Sequence, residues 1–262
     1  MSARPAEASE LHTRLLRCTL EVENARSYWR HVAGAVERPT AEQAFAEYWF
    51  GARSLARVTL LMANFRARYD AFPEALRTLG AWTGMDPDTR RLICHWHLQL
   101  ADPLYRAFTG RYLVERHQRV PPVVSHAAVV AWVGEQGGAR WGAATRIQFA
   151  SKLLSAAFSA GLLRSTRDPR PVQFPRISAE ALSYLMYLLR GVDFAGTLLD
   201  NPYAASLGLS GGTLEDRLRT LPGLRFRRQG DLVEFGWLYP DLASWTEAVL
   251  AAPAPIQTAR AG

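Results

Sequence analysis

The 262-residue chain has only two cysteines, Cys18 and Cys94, which excludes a disulfide scaffold and fits a reduced, intracellular setting. Lysine is nearly absent: Lys152 stands alone, so all but one of the 31 cations are arginines. No long apolar run is present either. The strongest, Leu153 to Leu163, is broken by Ser155, Ser159 and Gly161, whereas a membrane span needs about 20 apolar residues. The segment from Met1 to Glu10 is small and polar, without the apolar centre of a secretory signal. A cytoplasmic protein that does not engage membranes is expected.

The motifs of several enzyme classes are missing as well. There is no G-x-x-x-x-G-K-[ST] phosphate loop and no G-x-G-x-x-G after a strand. Gly208-Leu209-Ser210-Gly211-Gly212 matches the letters of a nucleophile elbow. That elbow needs a histidine downstream of its serine, and the last histidine is His126. Cys94-His95-Trp96-His97 groups three metal-binding side chains. On a helix, however, residues two apart point about 200° from one another, and no second ligand pair lies at zinc-finger spacing. Asp86 and Asp88 read as helix N-terminal charges. No catalytic residue, metal or cofactor is expected, and the chain reads as a non-enzyme.

What the chain does have is 48% apolar residues, enough for a packed core, and a net charge of +7. The charge is concentrated. Between Ala139 and Arg176 lie Arg140, Arg146, Lys152, Arg164, Arg167, Arg170 and Arg176, against Asp168 as the one anion. Such a footprint points to a polyanionic partner. Arginine suits it, because the planar guanidinium fork binds two acceptors at once.

Periodicity predicts a helical domain over residues 1–120. One helix is expected from Leu11 to Gly34. A second begins at Thr40, where Gln43 completes a capping box. Others follow over Leu55 to Phe65, Pro73 to Leu79, Asp86 to Leu100 and Pro103 to Glu115. Val120-Pro121-Pro122 marks a boundary. Within 121–195, Ser125 caps a helix to Val133, and a longer helix runs from Trp141 to Ala160. Leu162-Leu163-Arg164 and Val172-Gln173-Phe174 then read as two strands of a basic hairpin. Helix, turn, helix and hairpin is the order of a winged helix-turn-helix. On the longer helix, Ile147, Ala150, Leu154 and Phe158 are expected to bury. Thr145, Gln148, Lys152, Ser155 and Ser159 form an acid-free opposite face suited to base edges and phosphates. A further helix follows Ser178.

Residues 196–262 read as a smaller helix-plus-hairpin unit. Thr213 is expected to cap its helix, and Leu224–Arg227 to pair with Leu232–Phe235. Arg225, Arg227 and Arg228 offer a second nucleic-acid contact there. Nearby acids leave the unit neutral, so a wing and a protein-docking surface are both open readings. The tail from Ala251 to Gly262 reads as disordered. The eight tryptophans read mostly as core, with Trp141 open to base stacking.

One order of residues carries a resemblance. Trp141, Thr145, Leu153-Leu154 and Gly161-Leu162-Leu163 precede Pro175-Arg176-Ile177-Ser178 and Tyr184-Leu185. Asn201-Pro202, Leu207-Gly208-Leu209, Gly230-Asp231 and Trp237 come later, and Arg53-Ser54, Arg66 and Arg68 lie upstream. Together they resemble the BrxA family of the BREX bacteriophage-exclusion systems. The resemblance implies a non-enzymatic, nucleic-acid-binding subunit encoded beside a methyltransferase, an alkaline-phosphatase-like protein and an ATPase.

The resulting expectation is a mainly α protein that binds double-stranded DNA through a winged helix. Arg140, Thr145, Gln148, Lys152, Arg164, Arg167, Arg170 and Arg176 would make the contact. The rival readings are RNA binding through Arg53, Arg57, Arg66 and Arg68 of the helical domain, and a scaffold that docks other BREX subunits.

Overall fold

The computed structural model describes residues 4–250. The tail expected to be disordered lies outside them. The described chain is mainly α, and its strands form two small antiparallel pairs.

The first helix of the sequence reading is two helices, α1 (Arg14–Arg17) and α2 (Val22–Val32), with Glu21 in a left-handed conformation at the break. The break has a partner. Arg68 is buried and donates from Nη2 to the Cys18 carbonyl at 2.7 Å and from Nη1 to the Leu20 carbonyl at 3.3 Å. Those carbonyls would otherwise serve a continuous helix.

Helix α3 (Ala41–Ala46) has the capping box read from Thr40 and Gln43, with backbone-to-side-chain bonds of 2.8 and 3.2 Å. Ser54 caps α4 (Leu55–Tyr69). Helix α5 (Pro73–Ala81) precedes α6 (Pro87–Ala101), whose first turn donates to Asp86. The expected helix from Pro103 is segmented into α7 (Pro103–Ala107), a π-helical turn (Phe108–Tyr112) and α8 (Leu113–His117).

Next come β1 (Val123–Val124), α9 (His126–Gly137), a 3₁₀ turn (Gly138–Arg140) and α10 (Ala143–Ser159). The expected hairpin between 162–164 and 172–174 is reduced to one bridge, Leu163 to Val172. Strand β2 (Arg170–Pro171) pairs instead with β1, Val123 opposite Pro171 and Val124 opposite Arg170. Proline is the reason. Pro169 and Pro171 have no N–H, so this edge cannot sustain a regular two-sided ladder.

Helix α11 (Ala179–Arg190) follows its Ser178 cap. Two short helices escaped the sequence reading, α12 (Pro202–Ala205) and α14 (Leu242–Val249). Between them, α13 (Gly211–Arg219) begins after Ser210, not Thr213; the Thr213 hydroxyl accepts from the Ser210 N–H at 3.2 Å. Ser210, the serine of the elbow-like motif, is thus the N-cap residue of this helix. The second hairpin pairs β3 (Leu224–Gln229) with β4 (Leu232–Trp237); Gln229 lies opposite Leu232 and Leu224 opposite Trp237, so the turn is the two residues Gly230-Asp231 and each strand runs two residues further than expected.

The buried core is continuous. Trp29 and Trp96 from 1–120, Phe149 and Tyr184 from 121–195, and Tyr203 and Trp245 from 196–262 all belong to it. Helix α6 lies at its centre, packed against α2, α4 and α11, while α9 packs on α10 and α14 on α5. Among the described residues no helix is long and apolar enough to cross a membrane.

Candidate nucleic-acid interface

Helix α10 is set by one buried stripe: Phe149, Ala150, Leu153, Leu154, Ala156 and Ala157, continued by Ala160. This face is rotated by roughly 90°, at 100° per residue, from the one inferred from the sequence. Two residues expected to bury are therefore on the surface, Ile147 at 49% exposure and Phe158 at 40%. The alanines explain the rotation. A hydrophobicity wheel weights bulky side chains, but alanine allows the closest helix approach and so takes the packed side.

The exposed face of α10 carries Ala143, Ala144, Ile147, Gln148, Ser151, Ser155 and Ser159. It holds no acidic residue. Gln148 is fully on this face, whereas Thr145 and Lys152 are half-buried at its border. The side chains are short at the N-terminal end, which opens close approach to a second surface.

Arginines lie before and after the helix, whose 17 residues span about 25 Å. Arg140 is exposed in the 3₁₀ turn. At the far end Arg164 donates from Nε to the Gln173 side chain at 2.9 Å, which itself donates to the Gly161 carbonyl at 2.9 Å. The terminal nitrogens of Arg164 keep no partner among the described residues, and the residue is exposed. Arg167 is exposed in the loop that joins the bridged segments, and Arg176 is exposed beyond it.

Two members of the basic stretch are committed internally. Arg146 donates from Nε to the Trp141 carbonyl at 2.8 Å and from Nη2 to the Gly138 carbonyl at 2.9 Å. Arg170 donates to Asp168 at 2.8 Å, with its side chain largely covered. The other oxygen of Asp168 accepts from the His126 backbone N–H, which ties the loop to the start of α9. That backbone donor, with Arg170 beside it, holds the Asp168 carboxyl below its usual range. Arg170 is therefore not a free phosphate ligand. Trp141 is also settled: its buried ring lies 4.3 Å from that of Phe149, so it is core and not a stacking platform.

The N-terminal cations are mostly occupied too. Arg57 pairs with Glu21 at 2.7 Å, Arg66 donates to the Pro39 carbonyl at 2.6 Å, and Arg68 is buried against α1's exit. Arg53 alone of the four is exposed without a partner among the described residues. In the second hairpin, Arg225 and Arg227 are exposed, while Arg228 pairs with Glu215. Leu232 in the neighbouring strand is 77% exposed.

His95 and His97 point to different neighbours within the core. His95 bonds the hydroxyls of Tyr105 and Ser206, each at 2.9 Å, and His97 bonds that of Tyr184 at 2.6 Å. Burial pushes their pKa values down, to about 3 for His95 and about 4 for His97.

No protein-family model matches the chain, and no curated protein matches it in sequence. A solved structure, the crystal structure of an uncharacterized protein from Magnetospirillum magneticum, is similar with a TM-score of 0.57 at 15% identity. The match covers 70% of this chain and 98% of that one. A likeness at this identity concerns the fold alone.

Proposed function

We propose that this chain is a non-enzymatic, double-stranded DNA-binding subunit of a BREX-type phage-defence system. In this reading residues 121–195 form a winged helix, α10 is the recognition helix, and the loop 165–169 is the wing. The order β1, α9, α10, bridged strand, loop and β2 supports it. The observation that carries it is the acid-free exposed face of α10 between the exposed guanidiniums of Arg140, Arg164 and Arg167, none of which pairs with a carboxylate among the described residues. Phosphates would be held by those three with Arg176 and Lys152.

Gln148 can pair with an adenine edge, and Ile147 offers apolar contact to a thymine methyl group. With no arginine on this face to grip guanine, a preference for A·T pairs in the central site follows. Neutralising about five phosphates gives a slope of log K against log salt near −4.5 for duplex DNA. A slope near zero contradicts the electrostatic part of the reading.

RNA binding by the N-terminal helices is the weaker reading, since Arg57, Arg66 and Arg68 are spent on folding. Competition between duplex DNA and RNA separates the two. A docking role is favoured for the second hairpin alone, by the exposed Leu232, Val233 and Leu238 beside Arg225 and Arg227. Its partner would be another subunit of the same system. Charge reversal at Arg225 and Arg227 would then break co-purification of that subunit and leave DNA affinity unchanged.

A further inference from the structure

The hairpin of β3 and β4 outruns the core that supports it. Every residue from Arg227 to Glu234 is exposed, on both faces of the ribbon. Leu232 is 77% exposed, Val233 39%, and Leu238, just after β4, 52%. A two-stranded ribbon is marginal in water by itself, and three or more strands hold far better.

Strand β3 packs on α13, whereas the outer edge of β4 is open. The Leu238 N–H donates inward to the Gly223 carbonyl at 3.1 Å. By the alternation of an antiparallel ladder, Leu232, Glu234 and Gly236 also turn their main-chain groups toward β3. Those of Val233, Phe235 and Trp237 turn outward. They pair with no other strand among the described residues. Edges that must stay free carry lysine, proline or a bulge. Strand β4, Leu-Val-Glu-Phe-Gly-Trp, has none of these, and Glu234 is its one charge.

This edge is complementary to itself. In an antiparallel two-fold pairing the outward residues stand opposite one another, so the axis passes through a residue and not between two. An axis at Glu234 sets two carboxylates face to face. An axis at Gly236 sets Glu234 against Leu238. An axis at Phe235 instead sets Phe235 against its equivalent, Val233 against Trp237 and Leu232 against Leu238, which covers all three exposed apolar side chains of the hairpin. It also sets Glu234 against Gly236, which has no side chain. Beside Gly236 in the ladder stands Arg225, exposed and without an ion pair among the described residues. Arg225 and Glu234 of the second copy are then two strand spacings apart, about 10 Å, within reach of the two extended side chains. We infer that the occupant of this hairpin is a second copy of the chain, joined by antiparallel pairing of the two β4 strands about Phe235. The inference rests on the docking reading of the hairpin and names the docked subunit.

The test is sedimentation equilibrium of the full chain, without DNA, over about a hundredfold range of concentration. A reversible rise to twice the chain mass is expected. Val233→Pro removes an outward N–H and leaves the ladder to β3 intact, and should weaken the dimer by about tenfold or more. Leu232→Cys/Leu238→Cys reads the register separately, at two exposed positions. Mild oxidation should give a covalent dimer, because the two positions meet only across the axis and Cys18 and Cys94 are buried. A wild type that stays monomeric, a dimer that Val233→Pro leaves unchanged, or a dimer without the cross-link overturns the inference. Where the wild type is monomeric, loss of another subunit on Arg225→Glu/Arg227→Glu keeps the docking reading and removes only its occupant; co-purification unaffected by that reversal removes both.

Discussion

Arg170 donates to Asp168 at 2.8 Å, and Asp168 in turn accepts the backbone N–H of His126. The loop expected to act as a wing is thereby pinned to the start of α9 by a cation that sequence alone would assign to phosphate. Arg170→Ala should therefore act on structure more than on charge. Loss of a largely covered ion pair should cost about 1–3 kcal/mol of stability, while the salt slope of DNA binding stays within about one unit of wild type. Denaturant midpoints and salt titrations check the two halves separately. A drop in slope as large as that of Arg167→Ala would return Arg170 to the contact set.

Arg146 makes the complementary case. Its bonds to the Trp141 and Gly138 carbonyls close the turn between α9 and α10. Arg146→Ala should lower stability by about 1.5–3 kcal/mol, the range for hydrogen bonds to a charged group. Arg140→Ala, in the exposed turn beside it, should leave stability within about 0.5 kcal/mol. Urea melts of the two variants decide.

The exposed apolar pair on α10 separates packing from recognition. Ile147→Ser should change stability by less than about 1 kcal/mol, because the side chain is already half in solvent. Its effect should fall on the discrimination between A·T-rich and G·C-rich duplexes. Phe149→Ala, two residues on, about 200° around the helix and fully buried, should cost about 3–5 kcal/mol. Equal melting temperatures for the two variants would mean that α10 is rotated from the orientation described.

The buried histidines set a pH dependence. His95 and His97 are neutral in the fold, with pKa values pushed to about 3 and about 4, whereas an unfolded histidine titrates near 6.5. Between roughly pH 4 and 6.5 the unfolded chain thus binds more protons, so stability falls as pH is lowered through that window. His97→Gln should flatten this slope, even where it costs stability at neutral pH. A stability profile level from pH 7 to 5 would contradict the burial of the pair.

Much of the helical framework was legible because its signals are local. Thr40 with Gln43, Asp86, Ser125 and Ser178 all stand at the starts of the helices they announce, as their N-caps. The glycine at Gly230 located the second hairpin, but not its register, in which Gln229 pairs with Leu232. What was hidden depends on contacts distant in sequence. The split between α1 and α2 is made by Arg68, about fifty positions away, and β2 takes its partner from β1 on the far side of two helices. At the candidate interface, sequence located the cluster of arginines but could not say which were already engaged. Arg146 and Arg170 look the same as Arg164 and Arg167 until their carbonyl and carboxylate partners are in place. The orientation of α10 was misread for a related reason: four buried alanines carry little weight in a wheel and much in close packing.

The most direct test of the central claim is binding of a labelled duplex at several salt concentrations by the wild type and by an Arg140→Glu/Arg164→Glu/Arg167→Glu variant of confirmed fold. The account predicts salt-sensitive binding by the wild type and a loss of at least about a hundredfold in the variant, since three phosphate contacts become three repulsions. Wild-type affinity retained by the variant would contradict a DNA interface on α10 and its flanking loop.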